Sequence, residues 1–161
     1  MDCGTTLMPL VTGLPADQSL TVVTYALNVA SAVSVLPGVR LILLGGVYHG
    51  ASRSFASSAM GDAIRRLGIN KAFLSAAGVH RLKGLSCFHF HEVAPKQAAI
   101  ATAAYRLLVV DESKFGVIRP ARFAGLEEVD EVITAEKAFS DGGSGGCGQP
   151  KPDHNQGRAR Q

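Results

Sequence analysis

The chain has only three cysteines among 161 residues, Cys3, Cys87 and Cys147, and no two share a paired spacing. That excludes a disulfide framework and a CxxC metal signature, and it predicts a reduced, cytoplasmic setting. Charge is also scarce at 18% of residues, which excludes a solvated, highly charged tail protein. The excess of basic over acidic residues is three, too small to argue for nucleic-acid binding. No Lys or Arg precedes Arg40, so the basic start of a secretory signal is missing. The uncharged window Gln18 to Val39 is long enough to span a membrane, but its Thr, Asn and Ser residues and its closing Pro37-Gly38 break it into a strand and a helix.

What is present is a 47% apolar composition, enough for one domain with a buried core. The apolar residues stop abruptly. From Ala138 to Gln161 there are six glycines, two prolines and no Leu, Ile or Val, a composition that predicts a disordered Gly-rich tail behind a domain of residues 1–137.

Within that domain, β-branched runs alternate with Ala- and Leu-rich stretches. Strands are expected at Leu20 to Thr24, Val39 to Leu44, Lys71 to Ala77, Leu107 to Val110 and Glu131 to Thr134. Helices are expected at Ala26 to Leu36, Phe55 to Leu67 and Glu92 to Tyr105, the last tolerating Pro95 in its first turn. His80 to His91 reads as irregular chain or a short hairpin. The alternation argues for an α/β fold with a mainly parallel sheet and helices on both faces. Ligands of such sheets sit where strand carboxyl ends turn into loops.

The candidate polar groups gather at those ends. Gly4-Thr5-Thr6, after Asp2-Cys3, offers backbone N–H groups and two hydroxyls ahead of an apolar helix start: an anion site, or simply a helix cap. Asp111-Glu112-Ser113-Lys114 follows a buried strand, and reads either as a phosphate-neutralising turn in which Lys114 and Ser113 take part or as a solvated turn capped by Asp111. The pair Gly45-Gly46 permits close approach of a ligand or an ordinary strand-ending turn. Gly78 ends the third strand at the same edge. In Phe88-His89-Phe90-His91-Glu92 the two histidines share a face if the chain is extended, but a third metal ligand is missing. The plainer expectation has Phe88 and Phe90 packed inward and the histidines facing solvent or ligand. No catalytic triad, metal or cofactor is expected.

In this order the motifs resemble the C-terminal effector-sensing domain of DeoR-type (GlpR-type) bacterial transcription regulators. The resemblance covers residues 1 to 135. It rests on Asp2-Cys3-Gly4-Thr5-Thr6, Leu20 to Asn28, Leu41-Ile42-Leu43-Leu44-Gly45-Gly46, Lys71 to Gly78, Val110 to Gly116 and Glu131 to Thr134. It implies a sensor of a phosphorylated sugar, similar in fold to ribose-5-phosphate isomerase and coenzyme A transferases. Gly4, Thr5 and Thr6 would cradle the phosphate, with Lys114 as counter-charge. Thr24 and Tyr25 would lie near the same edge, and Asp2, Lys83, Glu92 and Lys96 would reach sugar hydroxyls or phosphate.

Three departures stand out. Tyr25 replaces the Asn usual in the family, and Ser75-Ala76-Ala77-Gly78 replaces Gly-Ala-Asp-Gly, removing an acidic residue. The family usually carries a preceding winged helix-turn-helix domain and the beginning of a first strand, whereas this sequence opens at the expected anion loop with Met1 as the only vestige of that strand. The implied partners are therefore a sugar-phosphate effector and a second copy or a full-length regulator, with no membrane and no specific DNA binding by this chain. An isomerase using Glu92 as base, and a degenerate fragment that only oligomerises with full-length regulators, are the alternatives.

Overall fold

The structure, a computed structural model, describes residues 1–15 and 19–135. The expected tail from Ala138 to Gln161 lies outside the described residues, as does the division at residue 137.

A short 3₁₀ turn, Thr5–Leu7, leads into helix α1, Met8–Thr12. Strands β1, Leu20–Thr24, and β2, Val39–Leu43, pair in parallel with Leu20 opposite Val39. Helix α2, Leu27–Val33, crosses between them and buries Val29, Ala30 and Val33. Val29 and Val33, one turn apart, pack with Val11 of α1 and Val22 of β1. The crossover closes through Pro37-Gly38, where Gly38 takes φ +76°.

Strands β3, Val47–His49, and β4, Ser54–Ala56, then form an antiparallel hairpin, followed by helix α3, Met60–Arg65. This corrects the helix expected over Phe55 to Leu67. Phe55 belongs to the hairpin: its ring lies 5.4 Å from that of Tyr48 across the strand pair, and its N–H donates to the Tyr25 carbonyl. A three-residue strand held by partners thirty residues away leaves no periodic trace for local reading to find.

Strand β5, Lys71–Leu74, is shorter than expected and enters the hairpin β6, Gly78–His80, and β7, Gly84–Cys87. Gly84 turns it at φ +75°, and a side chain there would meet the Ala124 carbonyl at 2.2 Å. Helix α4, Val93–Thr102, strand β8, Tyr105–Asp111, strand β9, Ala121–Ala124, and strand β10, Glu131–Ala135, complete the chain. β10, β8 and β5 form a parallel sheet in that order, whereas β6, β7 and β9 form an antiparallel one.

The expected α/β architecture with parallel strands and covering helices is what is found, with the β6–β7–β9 sheet as an addition. The main core gathers Leu74, Leu108 and Val110 of the parallel sheet with Leu85 and Phe123 of the antiparallel one. Continuous apolar β8, Leu107 to Val110, is buried throughout, as a central parallel strand must be. No helix among the described residues is long and apolar enough to cross a membrane.

Candidate functional site

The carboxyl ends of the strands surround a cleft of about 380 Å³ whose lining includes Gly4, Thr5, Thr6, Asn28, Arg53, Ser75, His89, Glu92, Lys96 and Lys114. Residues from opposite ends of the sequence meet here because Thr6 donates its hydroxyl hydrogen bond to the Val109 carbonyl of β8 at 3.3 Å. The carboxyl end of β8 runs directly into the 3₁₀ turn Glu112–Lys114, so the Gly4–Thr6 loop and Lys114 share one rim.

Gly4 is fixed by packing. A Cβ on it would stand 2.3 Å from the Ser75 Cβ, so any larger residue drives the loop away from the end of β5. The conformation of Gly4 itself is extended, at φ −65° and ψ 138°. Thr5 is exposed on the cleft side of this loop, which suits a hydroxyl that meets ligand or solvent.

Beneath the cleft lies a buried ionic network. The Asp2 carboxylate accepts hydrogen bonds from the Ser75 amide at 2.8 Å, the Ser75 hydroxyl at 2.6 Å, the Tyr25 hydroxyl and Lys96 Nζ. Lys96 also donates to the Ser75 carbonyl at 3.0 Å, lies 3.7 Å from Glu92 Oε2, and rests over the Phe123 ring. Burial by itself would raise the Asp2 carboxyl, but the Lys96 charge and the four donated hydrogen bonds outweigh it and hold the group well below its usual range. Burial likewise works against the Lys96 ammonium, and the Asp2 and Glu92 carboxylates overcome it, pushing Lys96 above its ordinary value. Cys3, whose Sγ donates to Glu92 Oε2 at 3.5 Å, is pushed far up by burial and then by Asp2, so it stays an unreactive thiol.

The expected site residues therefore divide. Gly4, Thr5, Thr6, Glu92, Lys96 and Lys114 come together around the cleft. Asp2 and Tyr25 stand behind it, in the ionic network. Thr24 is buried, its hydroxyl accepting the Ala26 amide at 3.1 Å to open α2. Gly45 and Gly46 lie at the exposed end of β2, where a Cβ on Gly46 would meet the Ala56 carbonyl at 2.3 Å. Gly78 is packed against the Val117 carbonyl and the Ser86 hydroxyl. Lys83 sits exposed on the β6–β7 turn. Asp111 caps its own turn by accepting the Ser113 amide at 2.8 Å, and Ser113 is exposed beside it.

The Phe88 to Glu92 expectation needs correction. Phe88 and Phe90 are 54% and 73% exposed, because the segment ends in the 3₁₀ turn Phe90–Glu92 and does not alternate like a strand. His91 stacks on His49 of β3, with ring centroids 3.9 Å apart, and on His89 at 5.2 Å. Burial and the two neighbouring imidazoles lower the His91 pKa. Among the described residues no group of three His, Cys, Asp or Glu side chains is placed to hold a metal ion.

Local reading missed Asn28, Ser75 and Arg53. Asn28 opens onto the cleft from α2, its Nδ2 donating to the Met8 sulfur while Oδ1 is buried with no partner. A buried amide oxygen without a donor is costly unless a ligand supplies one. The signal available was Asn28 closing the stretch that begins at Leu20. Arg53 adopts φ +49°, and its carbonyl accepts a hydrogen bond from the Leu27 amide, a geometry that no local pattern announces.

Comparison with known proteins gives a consistent picture. The family described as the DeoR C terminal sensor domain matches residues 1–136. The chain is 37% identical over 133 residues to the deoxyribose operon repressor of Escherichia coli (strain K12), covering 83% of this chain and 53% of that protein. It is 32% identical over 134 residues to the glycerol-3-phosphate regulon repressor of Escherichia coli (strain K12), covering 83% of this chain and 53% of the repressor. To the HTH-type transcriptional regulator IolR of Bacillus subtilis (strain 168) it is 29% identical over 136 residues, covering 84% of this chain and 54% of the regulator. The chain thus spans about half the length of the curated relatives it matches.

Proposed function

The chain belongs to the DeoR C-terminal sensor domain family, and from that premise we propose that its cleft binds a phosphorylated sugar, or a closely related metabolite, as a regulatory effector. The observation that carries this reading is the shared rim of the Gly4–Thr6 loop and Lys114, held together by the Thr6 hydrogen bond to Val109. The Gly4–Thr6 backbone, the Thr5 hydroxyl and the Lys114 ammonium belong to residues lining one cleft, and together they have the chemistry to hold an anionic group. Asn28 Oδ1 and the Glu92 carboxylate, on the same cleft, supply acceptors for the hydroxyls of an attached polyol.

The reading is non-enzymatic. Glu92 is the nearest candidate base, and it is tied to the Cys3 thiol and faces the Lys96 ammonium, an arrangement suited to holding position. Effector binding would shift the population between arrangements of a larger regulator, in the reduced interior of the cell, with this chain supplying no specific DNA contacts of its own.

A thermal-shift panel tests the proposal. The names of two relatives point to deoxyribose and glycerol 3-phosphate, so the panel begins with deoxyribose phosphates, glycerol 3-phosphate and their unphosphorylated counterparts. A phosphorylated ligand at 100 times its dissociation constant stabilises by about 2.7 kcal/mol. Equal response to the unphosphorylated forms, or none to any, contradicts the assignment.

A further inference from the structure

Three of the chain's five histidines meet beside the cleft, although His49 belongs to β3 and His89 and His91 follow β7. His91 is the middle ring. It stacks on His49 with centroids 3.9 Å apart and planes 15° from parallel, and on His89 at 5.2 Å and 12°. Its Nε2 lies 3.2 Å from the Ser52 hydroxyl, which is itself 2.8 Å from the Ser54 hydroxyl. All three rings are half-buried.

The stack joins two pieces of chain that no sheet joins. The β3–β4 hairpin pairs only with itself, and β7 belongs to a separate sheet with β6 and β9. On one side the hairpin is tied by backbone hydrogen bonds: the Leu27 amide donates to the Arg53 carbonyl and the Phe55 amide to the Tyr25 carbonyl, both at 2.8 Å. Toward the 89–92 turn it is held by side chains, His49 on His91 and Ser52 to His91. Both pieces line the cleft, the hairpin through Ser52 and Arg53 and the turn through His89 and Glu92. The stack therefore sets how one wall of the cleft closes.

Such a stack holds while its middle ring is neutral. A proton on His91 places a half-buried cation between two more imidazoles, the side chain that charges just below neutral pH. His49 faces it from β3, the Ser52 hydroxyl from the hairpin turn and His89 from its own segment. No salt bridge joins His91 to a carboxylate among the described residues, and the adjacent Glu92 is engaged with Cys3 and Lys96. Burial, His49 and His89 accordingly lower the His91 pKa from its ordinary 6.5. The contribution of the stack is thus complete above pH 6.5 and is lost as the pH falls through the lower folded-state value.

We propose that His49, His91 and His89 form a proton-released latch, which holds the β3–β4 hairpin against the 89–92 turn and closes one wall of the cleft. At neutral pH and above the latch is shut. In acid the hairpin comes free and effector affinity falls. Separated rings let His91 take its proton at the ordinary value, so one pH unit below 6.5 that proton favours the open form by up to about tenfold. The coupling to affinity rests on the reading of the cleft as an effector site, whereas the latch itself is a property of the free chain.

The test is NMR on the full 161-residue chain without ligand, at about pH 7.5 and about pH 5. NOEs between the His49 and His91 rings are expected at the higher pH and should weaken severalfold at the lower, with shifts of the Ser52 and Arg53 amides. His91→Phe keeps a ring in the stack with no proton to gain, and its contact with His49 should persist at both. His49→Phe, which leaves the Ser52 hydrogen bond to His91 in place, should keep its ring contact likewise. Calorimetric affinity for deoxyribose 5-phosphate should fall about fivefold further in the parent than in either variant, the ionisation of the ligand phosphate being common to all three. NOEs that are unchanged in acid, or lost equally in both variants, overturn the latch, and an equal fall in affinity in all three chains overturns its coupling to the cleft. Absence of sugar-phosphate binding at any pH contradicts the effector reading alone, because the NOEs judge the latch in the free chain.

Discussion

Lys96 and Asp2, ninety-four residues apart, form an ion pair whose side chains are 1% and 2% exposed. The pair ties α4 to the chain segment just before the Gly4 loop, and through Ser75 to the end of β5. A buried pair of this kind is weak evidence for net stability, but breaking it leaves one charge without compensation. Lys96→Met is therefore expected to destabilise by about 3–5 kcal/mol in urea unfolding. The double variant Asp2→Asn with Lys96→Met should recover part of that loss. Full additivity of the two single effects would contradict the pairing.

The same carboxylate sets an acid limit. The folded-state pKa of Asp2 lies below its ordinary value of 3.8, so the folded form binds fewer protons than the unfolded chain in the interval between them. Its contribution is complete above pH 3.8 and is lost as the pH falls through the lower folded-state value. Lys96 is shifted upward, so its contribution is complete below its ordinary value of 10.5 and fades as the pH rises through the folded-state value. Urea midpoints measured across acid pH should show a steeper loss for the parent chain than for Asp2→Asn.

Gly4→Ala places a methyl group against Ser75 and is expected to cost about 1–3 kcal/mol. The double variant Gly4→Ala with Ser75→Gly removes the clashing Cβ. Ser75→Gly by itself loses the hydroxyl hydrogen bond to Asp2, but with the clash gone the double variant should be less destabilised than the two single effects added together. If Gly4→Ala melts at the parent temperature, the close approach of the loop to β5 is wrong.

Asn28→Ala separates binding from folding. Its Oδ1 has no protein partner, so truncation should leave the melting temperature within a degree or so. Calorimetric affinity for the responding sugar phosphate should fall about tenfold, the value of one hydrogen bond to a ligand hydroxyl. Unchanged affinity would remove Asn28 from the site.

How far the sequence foretells this structure depends on the range of the forces involved. β1, β2, β8 and β10 are readable as short apolar, β-branched runs, although of these only β8 carries a continuous buried stretch. The β3–β4 hairpin is not, since Val47–His49 and Ser54–Ala56 owe their conformation to each other and to the Tyr25 carbonyl. The site divides in the same way. Gly4, Thr5, Thr6 and Lys114 stand in short motifs with recognisable anion chemistry. Ser75 and Asn28 are ordinary polar residues until the fold brings one to Asp2 and leaves the other facing a cleft. Phe88 and Phe90 show the converse error, an alternating pattern on a segment that is not a strand.

The central claim is that the Gly4–Thr6 loop and Lys114 together hold the phosphate of an effector. Isothermal titration of a phosphorylated sugar and its unphosphorylated counterpart into the parent chain, Thr5→Ala and Lys114→Ala tests it most directly. The account predicts that the parent prefers the phosphorylated form, that Lys114→Ala loses about tenfold or more in affinity for it, that Thr5→Ala loses less, and that binding of the unphosphorylated sugar is unchanged. Full affinity for the phosphorylated sugar in both variants would contradict it.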